Sequence, residues 1–82
     1  MSWYVYMLRC SDDSIYTGIT TDIERRIKEH NTDNRKGARY TRARRPINLI
    51  YQETCTNRSL ASKREHALKK LSRQQKLTLI DS

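Results

Sequence analysis

The fold is decided by residues 3–20, which read WYVYMLRCSDDSIYTGIT. The β-favouring run at its start alternates, with Tyr4, Tyr6 and Leu8 on one face and Trp3, Val5 and Met7 on the other. A polar turn follows at residues 11–14, and the β-favouring pattern resumes at residues 15–20. These features predict a β-hairpin whose first strand is covered on both faces.

The length of the hairpin connection decides whether Tyr6 and Tyr16 share a face. Because strand side chains alternate with period two, a two-residue turn at Asp12-Asp13 would place Tyr16 opposite Arg9 and separate the tyrosines. A connection of odd length, or a bulge, would bring them together. The residues permit either arrangement.

The next segment predicts a helix that begins at residues 21–24. These residues match a capping box in which Thr21 takes an orphan amide and Glu24 reaches back. At about 100° per residue, Ile23 and Ile27 define the buried side of the helix. Arg26 and His30 fall on the flank of that side, whereas Arg25 and Lys28 point away.

The second half of the chain adds one strand and two helices. Residues 47–54 predict a strand with Ile47, Leu49 and Tyr51 on one face. Residues 58–71 predict a helix with Glu65 at the edge of its apolar stripe. That stripe consists of Leu60, Arg64, Ala67, Leu68 and Leu71. A capping box at residues 72–75 begins a short last helix.

The order β-β-α-β-α-α predicts an α+β fold, a three-stranded antiparallel sheet flanked by helices. At 82 residues the chain is expected to form a single domain, residues 1–82. The start of the chain lacks the pattern of a signal peptide, and no segment has the roughly 18 apolar residues of a membrane span. We therefore expect a cytoplasmic protein without a membrane partner. Cys10 and Cys55 lack metal or redox spacing and are expected to be reduced, structural thiols.

The charge points to a polyanionic partner. Seventeen Lys and Arg stand against nine Asp and Glu, a formal net charge of +8. Residues 35–45 read RKGARYTRARR and predict a basic loop that Gly37 bends. Nucleic acid is the first partner that such a field suggests, although a protein that is merely basic stays open on composition. The candidate binding residues are Arg35, Lys36, Arg39, Tyr40, Arg42, Arg44 and Arg45, with Lys69 and Lys70 extending the track.

Two tripeptides carry a resemblance to a known family. Tyr4-Val5-Tyr6 and Tyr16-Thr17-Gly18 resemble the paired signatures of the GIY-YIG nucleases, and Arg26, His30 and Glu65 follow in the expected order. The chain is most similar to small stand-alone bacterial members, a group described as uncharacterised. The first Gly of the GIY signature is Tyr4 here, and Thr17 replaces the central Ile of YIG.

The resemblance implies a GIY-YIG-type fold and hydrolysis of phosphodiester bonds with one divalent ion, Mg²⁺ or Mn²⁺. Tyr6 would be the general base, Tyr16 would position the water, and Arg26 would hold phosphate oxygens. His30 would donate a proton to the leaving oxygen or bind phosphate, and Glu65 would bind the metal. On the residues alone, other readings stay open: packing tyrosines, an arginine over the core, a structural histidine, and a glutamate paired with Lys69.

Three functions compete. The first is a metal-dependent endonuclease with little sequence specificity, acting on DNA in preference to RNA, in a role such as repair or recombination and with a targeting protein as a further partner. The second is a nucleic-acid-binding module with weak or no catalysis. The third is a basic protein that docks on ribosomal RNA or on an acidic partner.

Overall fold

The protein is a three-stranded antiparallel sheet with helices on both faces. The computed structural model describes residues 2–81. The elements, in chain order, are β1 (Trp3–Arg9), β2 (Ile15–Thr20), α1 (Ile23–Thr32), α2 (Arg39–Arg42), β3 (Asn48–Cys55), α3 (Arg58–Lys69) and α4 (Arg73–Asp81). The sheet has the order β2-β1-β3, so β1 is central and β2 is an edge strand. The predicted α+β fold is confirmed.

The hairpin connection places Tyr6 and Tyr16 on one face of the sheet. Arg9 pairs with Ile15, so the connection runs from Cys10 to Ser14 and has an odd number of residues. Leu8 pairs with Tyr16 and Tyr6 pairs with Gly18. Side chains of paired residues lie on the same face, so both tyrosine rings lie on the side of Leu8. The alternative left open by the sequence is thereby decided.

The two faces of β1 pack against different helices. Val5 and Met7 are buried with Ala61 and Leu68 of α3, and Leu79 and Ile80 of α4 pack against the same cluster. The opposite face forms a second cluster, which the α1 side chains Ile23 and Ile27 cover. Its buried members are Tyr6, Leu8, Cys10 and Ile47. The prediction of a strand covered on both faces is confirmed.

The first predicted helix cap is shifted by one residue. Asp22, not Thr21, is the N-cap, because its extended backbone lets its carboxylate accept from the Arg25 amide at 3.1 Å. The second capping box is confirmed. The Ser72 amide donates to Gln75 Oε1 at 2.9 Å, and the Gln75 amide donates to Ser72 Oγ at 3.1 Å.

A β-bulge in β3 overturns the prediction that Ile47, Leu49 and Tyr51 share one face. Leu49 pairs with Leu8 and Tyr51 pairs with Met7, so Ile50 is the extra residue. Tyr51 therefore packs with the first cluster, whereas Ile47 is buried in the second.

The predicted apolar stripe of α3 is also partly wrong. Leu60 is 45% exposed and Ala67 is exposed, whereas Ala61 and Leu68 are buried. The buried face is rotated by about one residue, which moves Arg64 to the rim, where it pairs with Glu53 of β3 at 2.8 Å. The helix ends at Lys69, two residues before the predicted end.

Residues 35–45 are not all loop, because α2 lies within them. The Ala38 carbonyl accepts from the amides of Thr41 and Arg42, both at 3.1 Å, and closes one turn of helix. Gly37 lies at a bend, as predicted, and it also allows close approach of the backbone. A Cβ at this position would lie 2.7 Å from the carbonyl oxygens of both Glu29 and Asp33. The basic segment, defined as residues 35–45, therefore packs directly on the end of α1.

Two further sequence expectations concern the thiols and membranes. Cys10 is buried and Cys55 is partly buried, and both are free thiols as expected. Within residues 2–81, every helix is too short or too polar to cross a membrane. The cytoplasmic location stays a prediction.

One buried hydroxyl in the sheet predicts a stabilising substitution. Thr17 is 3% exposed, and its Oγ1 has no hydrogen-bond partner among the described residues. Thr17→Val keeps the shape and removes the desolvation cost of that hydroxyl, so unfolding free energy should rise by about 1 kcal/mol. For a domain of this size the melting temperature should rise by about 4–8 °C. Urea and thermal unfolding would measure the change, and a lower stability would show that the hydroxyl has a partner in solution.

Candidate active site

The centre of the site is Tyr6, whose ring lies over Gly18. A Cβ on Gly18 would lie 2.5 Å from the Tyr6 hydroxyl oxygen and 2.7 Å from the adjacent ring carbon. Real Cβ atoms do not approach other atoms this closely, so Gly18 leaves the space that the phenol occupies. Because Gly18 lies on the edge strand β2, the phenol reaches from the central strand toward the edge of the sheet.

Behind Tyr6 lies a buried histidine. The hydroxyl of Tyr6 is 2.9 Å from His30 Nε2, and the other ring nitrogen, Nδ1, is 2.7 Å from Thr41 Oγ1. The Thr41 hydroxyl also donates to the Ala38 carbonyl at 2.9 Å. His30 and Thr41 are both 0% exposed. His30 therefore meets no phosphate directly in this arrangement, and any catalytic role would act through Tyr6.

Tyr16 completes an aromatic cluster around His30. Its ring centroid is 5.2 Å from that of His30 and 6.5 Å from that of Tyr6. On the other side, the ring of Tyr40 stacks on Tyr16 with a centroid distance of 6.0 Å. Tyr16 thus links the sheet to the basic segment.

Arg26 is held next to Tyr6 by two acceptors. Its Nη1 donates to the Glu29 carboxylate at 3.0 Å and to the Lys36 carbonyl. The Arg26 side chain is 23% exposed, so the anchored guanidinium still reaches solvent. Arg25 is 59% exposed, but it also approaches the Glu29 carboxylate, at 3.9 Å, and lines a cleft together with Arg26, so the prediction that it points well away is only partly correct.

Burial shifts the pKa values of both groups in the Tyr6–His30 pair. Burial raises the pKa of Tyr6 to about 12, although the adjacent Arg26 guanidinium opposes this shift. Burial also lowers the pKa of His30 to about 4, and the positive charges of Arg26 and Arg45 act in the same direction. Near neutral pH, Tyr6 is therefore a phenol and His30 a neutral imidazole.

Glu65 comes from the opposite layer of the fold. It lies on α3 between the buried Ala61 and Leu68, is 24% exposed, and pairs with Lys69 at 3.4 Å. Its charge nevertheless contributes to the raised pKa of Tyr6, so the two groups interact electrostatically. The expected position of Glu65 at the edge of the helix face is confirmed.

The donor set limits the kind of metal site. Within residues 2–81, no group of three or more His, Cys, Asp or Glu side chains could hold an ion. A metal site built from three or more of these side chains is therefore absent from this part of the chain. Mg²⁺ needs only one or two carboxylates, because it keeps several waters and binds substrate phosphate. Glu65, a partly exposed carboxylate, fits such an open site.

The basic segment divides into anchored and free cations. Arg45 donates to the His30 carbonyl at 2.7 Å and to two further acceptors at residues 33 and 34. Arg44 pairs with Asp12 at 3.0 Å and lies 3.9 Å over the Tyr40 ring. Arg42 is exposed but anchored too, because its Nη1 donates to the Asn34 carbonyl at 2.6 Å. The remaining cations of the segment are exposed, and these are Arg35, Lys36 and Arg39. Base stacking on Tyr40 stays a prediction, and it would require the guanidinium of Arg44 to move.

The hairpin connection joins the basic segment to α4. Arg44 binds the Asp12 carboxylate from one side, and Arg73 donates to the Asp13 carbonyl at 2.6 Å from the other. Lys69 and Lys70, just before α4, are exposed. This arrangement is compatible with the predicted continuous basic track.

A cleft opens beside Arg26. It has a volume of about 350 Å³ and lies between the end of β2, the start of α1 and the start of α3. Its lining includes Trp3, Arg25, Arg26 and Arg58, and the Arg58 guanidinium lies 5.7 Å from the centre of the Trp3 ring. Three cations and an aromatic ring thus border the space next to the candidate site.

Sequence reasoning missed Thr41 and the steric reason for Gly18. Thr41 is one polar residue in a basic run, and its importance arises only because the segment folds back on α1. The sequence contains no separate signal for that contact. Gly18 was noted only as part of a motif, and its role depends on the register that places it opposite Tyr6.

Comparisons with known proteins identify the family of this chain. Residues 2–78 match the model of the GIY-YIG catalytic domain. A UPF0213 protein of Desulfotalea psychrophila is 60% identical over 79 residues, which cover 96% of this chain and 71% of that protein. A UPF0213 protein of Staphylococcus haemolyticus is 51% identical, over 95% of this chain and 93% of that protein.

Solved structures give the same result. The solution NMR structure of a UPF0213 protein from Bacillus halodurans matches with a TM-score of 0.62 and 44% identity, covering 99% of this chain and 84% of the other. The solution NMR structure of a protein from E. faecalis matches with a TM-score of 0.63 and 46% identity, covering 96% and 83%. Because the family model and these relatives match nearly the whole chain, the chain belongs to the GIY-YIG family, and it is similar to the small UPF0213 members of that family.

Proposed function

We propose that this protein is a metal-dependent endonuclease that hydrolyses phosphodiester bonds of DNA, with RNA as the second substrate class. The observation that carries the proposal is the Tyr6–His30 hydrogen bond beside the anchored Arg26 guanidinium. A proton acceptor and a phosphate-binding cation are two of the groups that phosphodiester hydrolysis requires. The family supports a nuclease-type function.

Tyr6 would accept the proton of the attacking water. With a pKa near 12 it is a phenol at rest, so it can accept a proton only by releasing its own. The buried Nε2 of His30, 2.9 Å away, is placed to receive that proton. The proton would pass from water to the Tyr6 oxygen while the phenolic proton moves to His30.

Arg26 would bind the scissile phosphate. A guanidinium keeps its charge and can contact two phosphate oxygens at once. The Glu29 carboxylate and the Lys36 carbonyl orient it before substrate arrives. A divalent ion held by Glu65 would add positive charge at the phosphate oxygens.

Substrate binding would rest on the exposed cations. The free side chains of the basic segment and the arginines of the cleft present charge to a phosphate backbone. No element described here resembles a recognition helix in a groove, so we propose little sequence specificity. Repair and recombination are roles that fit this chemistry, and a targeting protein partner would supply the selectivity that the domain lacks.

A second candidate is a binding module with weak or no catalysis. The observations that favour it are the raised pKa of Tyr6 and the pairing of Glu65 with Lys69. A protonated phenol is a weak base by itself, and a glutamate paired with a lysine is less available to a metal ion. Both functions predict that the affinity for nucleic acid falls as the salt concentration rises. On duplex DNA, the logarithm of the binding constant should fall with the logarithm of the salt concentration, with a slope of about −0.9 per phosphate contacted. Metal-dependent cleavage separates the two.

Glu65 provides the test of metal dependence. The wild type should cut end-labelled single-stranded, duplex, flap or branched DNA or RNA with Mg²⁺ or Mn²⁺ and stop with EDTA. Glu65→Gln should reduce the rate by roughly 10²-fold or more, because the ion loses its carboxylate. The matched control is Glu24→Gln, an exposed carboxylate in the first turn of α1, which should keep the wild-type rate. Tight binding by the wild type without cutting in any of these conditions would favour the binding module.

Neighbouring arginines on α1 test the phosphate contact. Arg26→Ala should lower kcat by about 10²-fold, because its guanidinium would stabilise charge that develops at phosphorus. Arg25→Ala removes the same charge from an exposed position and should raise KM while leaving kcat within about two-fold. Steady-state kinetics on the preferred substrate would measure both. Equal kcat values for the two variants would remove Arg26 from the proposed mechanism.

Buried neutral His30 predicts a specific dependence of stability on pH. Its pKa is about 4 in the folded protein, below the unfolded value near 6.5. The unfolded chain therefore binds the extra proton first, and stability should fall as pH drops from about 6.5 to about 4, by up to about 3 kcal/mol. The His30→Gln variant should lack this pH dependence of the free energy of unfolding. The difference in unfolding free energy between wild type and His30→Gln should therefore shrink as the pH falls. The exposed His66→Gln should keep the wild-type slope in urea unfolding at each pH. Parallel curves for wild type and His30→Gln would show that His30 titrates normally.

A further inference from the structure

The hydrogen bonds of Thr41 determine where His30 carries its proton. A carbonyl oxygen can only accept, so the 2.9 Å contact with Ala38 uses the single hydroxyl hydrogen of Thr41. With that hydrogen committed, Thr41 Oγ1 can only accept from His30 Nδ1 at 2.7 Å. The Nδ1 atom must then carry the hydrogen.

The opposite ring nitrogen follows from this assignment. A neutral imidazole has one N–H, so Nε2 has a free lone pair and accepts from the Tyr6 hydroxyl at 2.9 Å. The phenolic hydrogen therefore points inward, toward His30. The lone pairs of the buried Tyr6 oxygen then point away from His30, on the side of the adjacent Arg26 guanidinium.

We infer that Thr41 is a positioning residue for hydrolysis, because it fixes the His30 tautomer and thereby aims the lone pairs of Tyr6 at the attacking water. This inference rests on the proposed nuclease function. In the step it serves, the water O–H bond breaks and that proton bonds to the Tyr6 oxygen. The phenolic proton moves to His30 Nε2 as the water oxygen bonds to phosphorus. Thr41 keeps the Nδ1 hydrogen throughout.

The other tautomer would block the same step. With hydrogen on Nε2, His30 would donate to the Tyr6 oxygen and occupy one of its lone pairs. Because Nε2 would already carry a hydrogen, it could not receive the phenolic proton, and proton transfer from water through Tyr6 would have no acceptor. A tautomer change would therefore lower the rate without altering the phosphate contacts of Arg26.

Among the groups around His30, Thr41 is the one that selects between the two tautomers of the ring. The rings of Tyr6 and Tyr16 face it from the sheet, at centroid distances of 6.0 and 5.2 Å. The charged groups that influence it are Arg26, Glu29 and Arg45. Among the described residues, the hydrogen-bond partner at Nδ1 is Thr41.

The first measurement is the tautomer itself. Long-range ¹H–¹⁵N spectra of protein labelled at histidine, recorded near pH 7.5, should show His30 with hydrogen on Nδ1 in the wild type. His66→Gln assigns the second histidine signal. Thr41→Ser keeps the hydroxyl and should keep the tautomer, whereas Thr41→Val removes it at nearly constant shape and should give the other tautomer or a mixture.

The second measurement is kinetic. Thr41→Val should lower kcat by roughly 10²-fold with KM within about two-fold, and Thr41→Ser should restore most of the rate. Thr17→Val is the matched control, because it removes a buried threonine hydroxyl on the other face of the sheet. It should leave both the tautomer and the kinetics unchanged.

The outcomes separate this inference from the nuclease proposal. Wild-type His30 with hydrogen on Nε2 would overturn the role of Thr41, even if Thr41→Val fails to fold. A folded Thr41→Val with the wild-type tautomer and kcat would overturn it as well. Wild type with the Nδ1 tautomer but no cleavage of any substrate would overturn the nuclease function and, with it, the catalytic purpose of the positioning.

Discussion

The contact between Tyr6 and His30 is the constraint around which one whole layer of the protein is arranged. Tyr6 comes from the central strand and His30 from α1, so their hydrogen bond joins the sheet to its helix in the core. Two buried polar groups would be costly without partners; Tyr6 and His30 satisfy each other, and Thr41 satisfies the second ring nitrogen of His30. The phenol fits only because Gly18 has no side chain. Sheet register, the glycine and the basic segment therefore all depend on this pair.

The side-chain periodicity of strands and helices and the pairing register of the sheet explain how much of the fold and of the candidate site could be predicted from the sequence. The two faces of β1 and the flank position of Arg26 follow from local geometry, which sequence reports directly. The shared face of the tyrosines depended on the length of one connection, which the residues left open. The face predictions for β3 and α3 failed because tertiary contacts set the bulge at Ile50 and the rotation of α3. The first cap was wrong by one residue, at Asp22 instead of Thr21. Thr41 could not be found, because its contact joins residues brought together only by the fold.

The polar core of the site has an energetic consequence. A neutral imidazole and a protonated phenol are the states that burial favours, since both avoid an uncompensated charge. A group held in this way does not act as a base through its own ionisation. Proton acceptance must then be coupled to proton release, and the direction of the hydrogen bonds becomes as important as the pKa values. An uncharged residue, Thr41, can therefore affect the proton-transfer step, because it sets the direction of the hydrogen bond between His30 and Tyr6.

The distribution of acidic residues explains where the positive field lies. Carboxylates elsewhere in the chain are used locally: Asp22 and Asp33 cap backbone amides, and Glu53 and Glu65 pair with cations on α3. The basic segment contains no acid, and within residues 2–81 its one ion pair joins Arg44 to Asp12. Its exposed cations are therefore not neutralised by neighbours, and their field extends over about a Debye length, near 10 Å at 0.1 M salt. Since the same segment carries Thr41 and Tyr40 against the tyrosine cluster, the surface that attracts phosphate and the packing that orders the site are built from one stretch of chain.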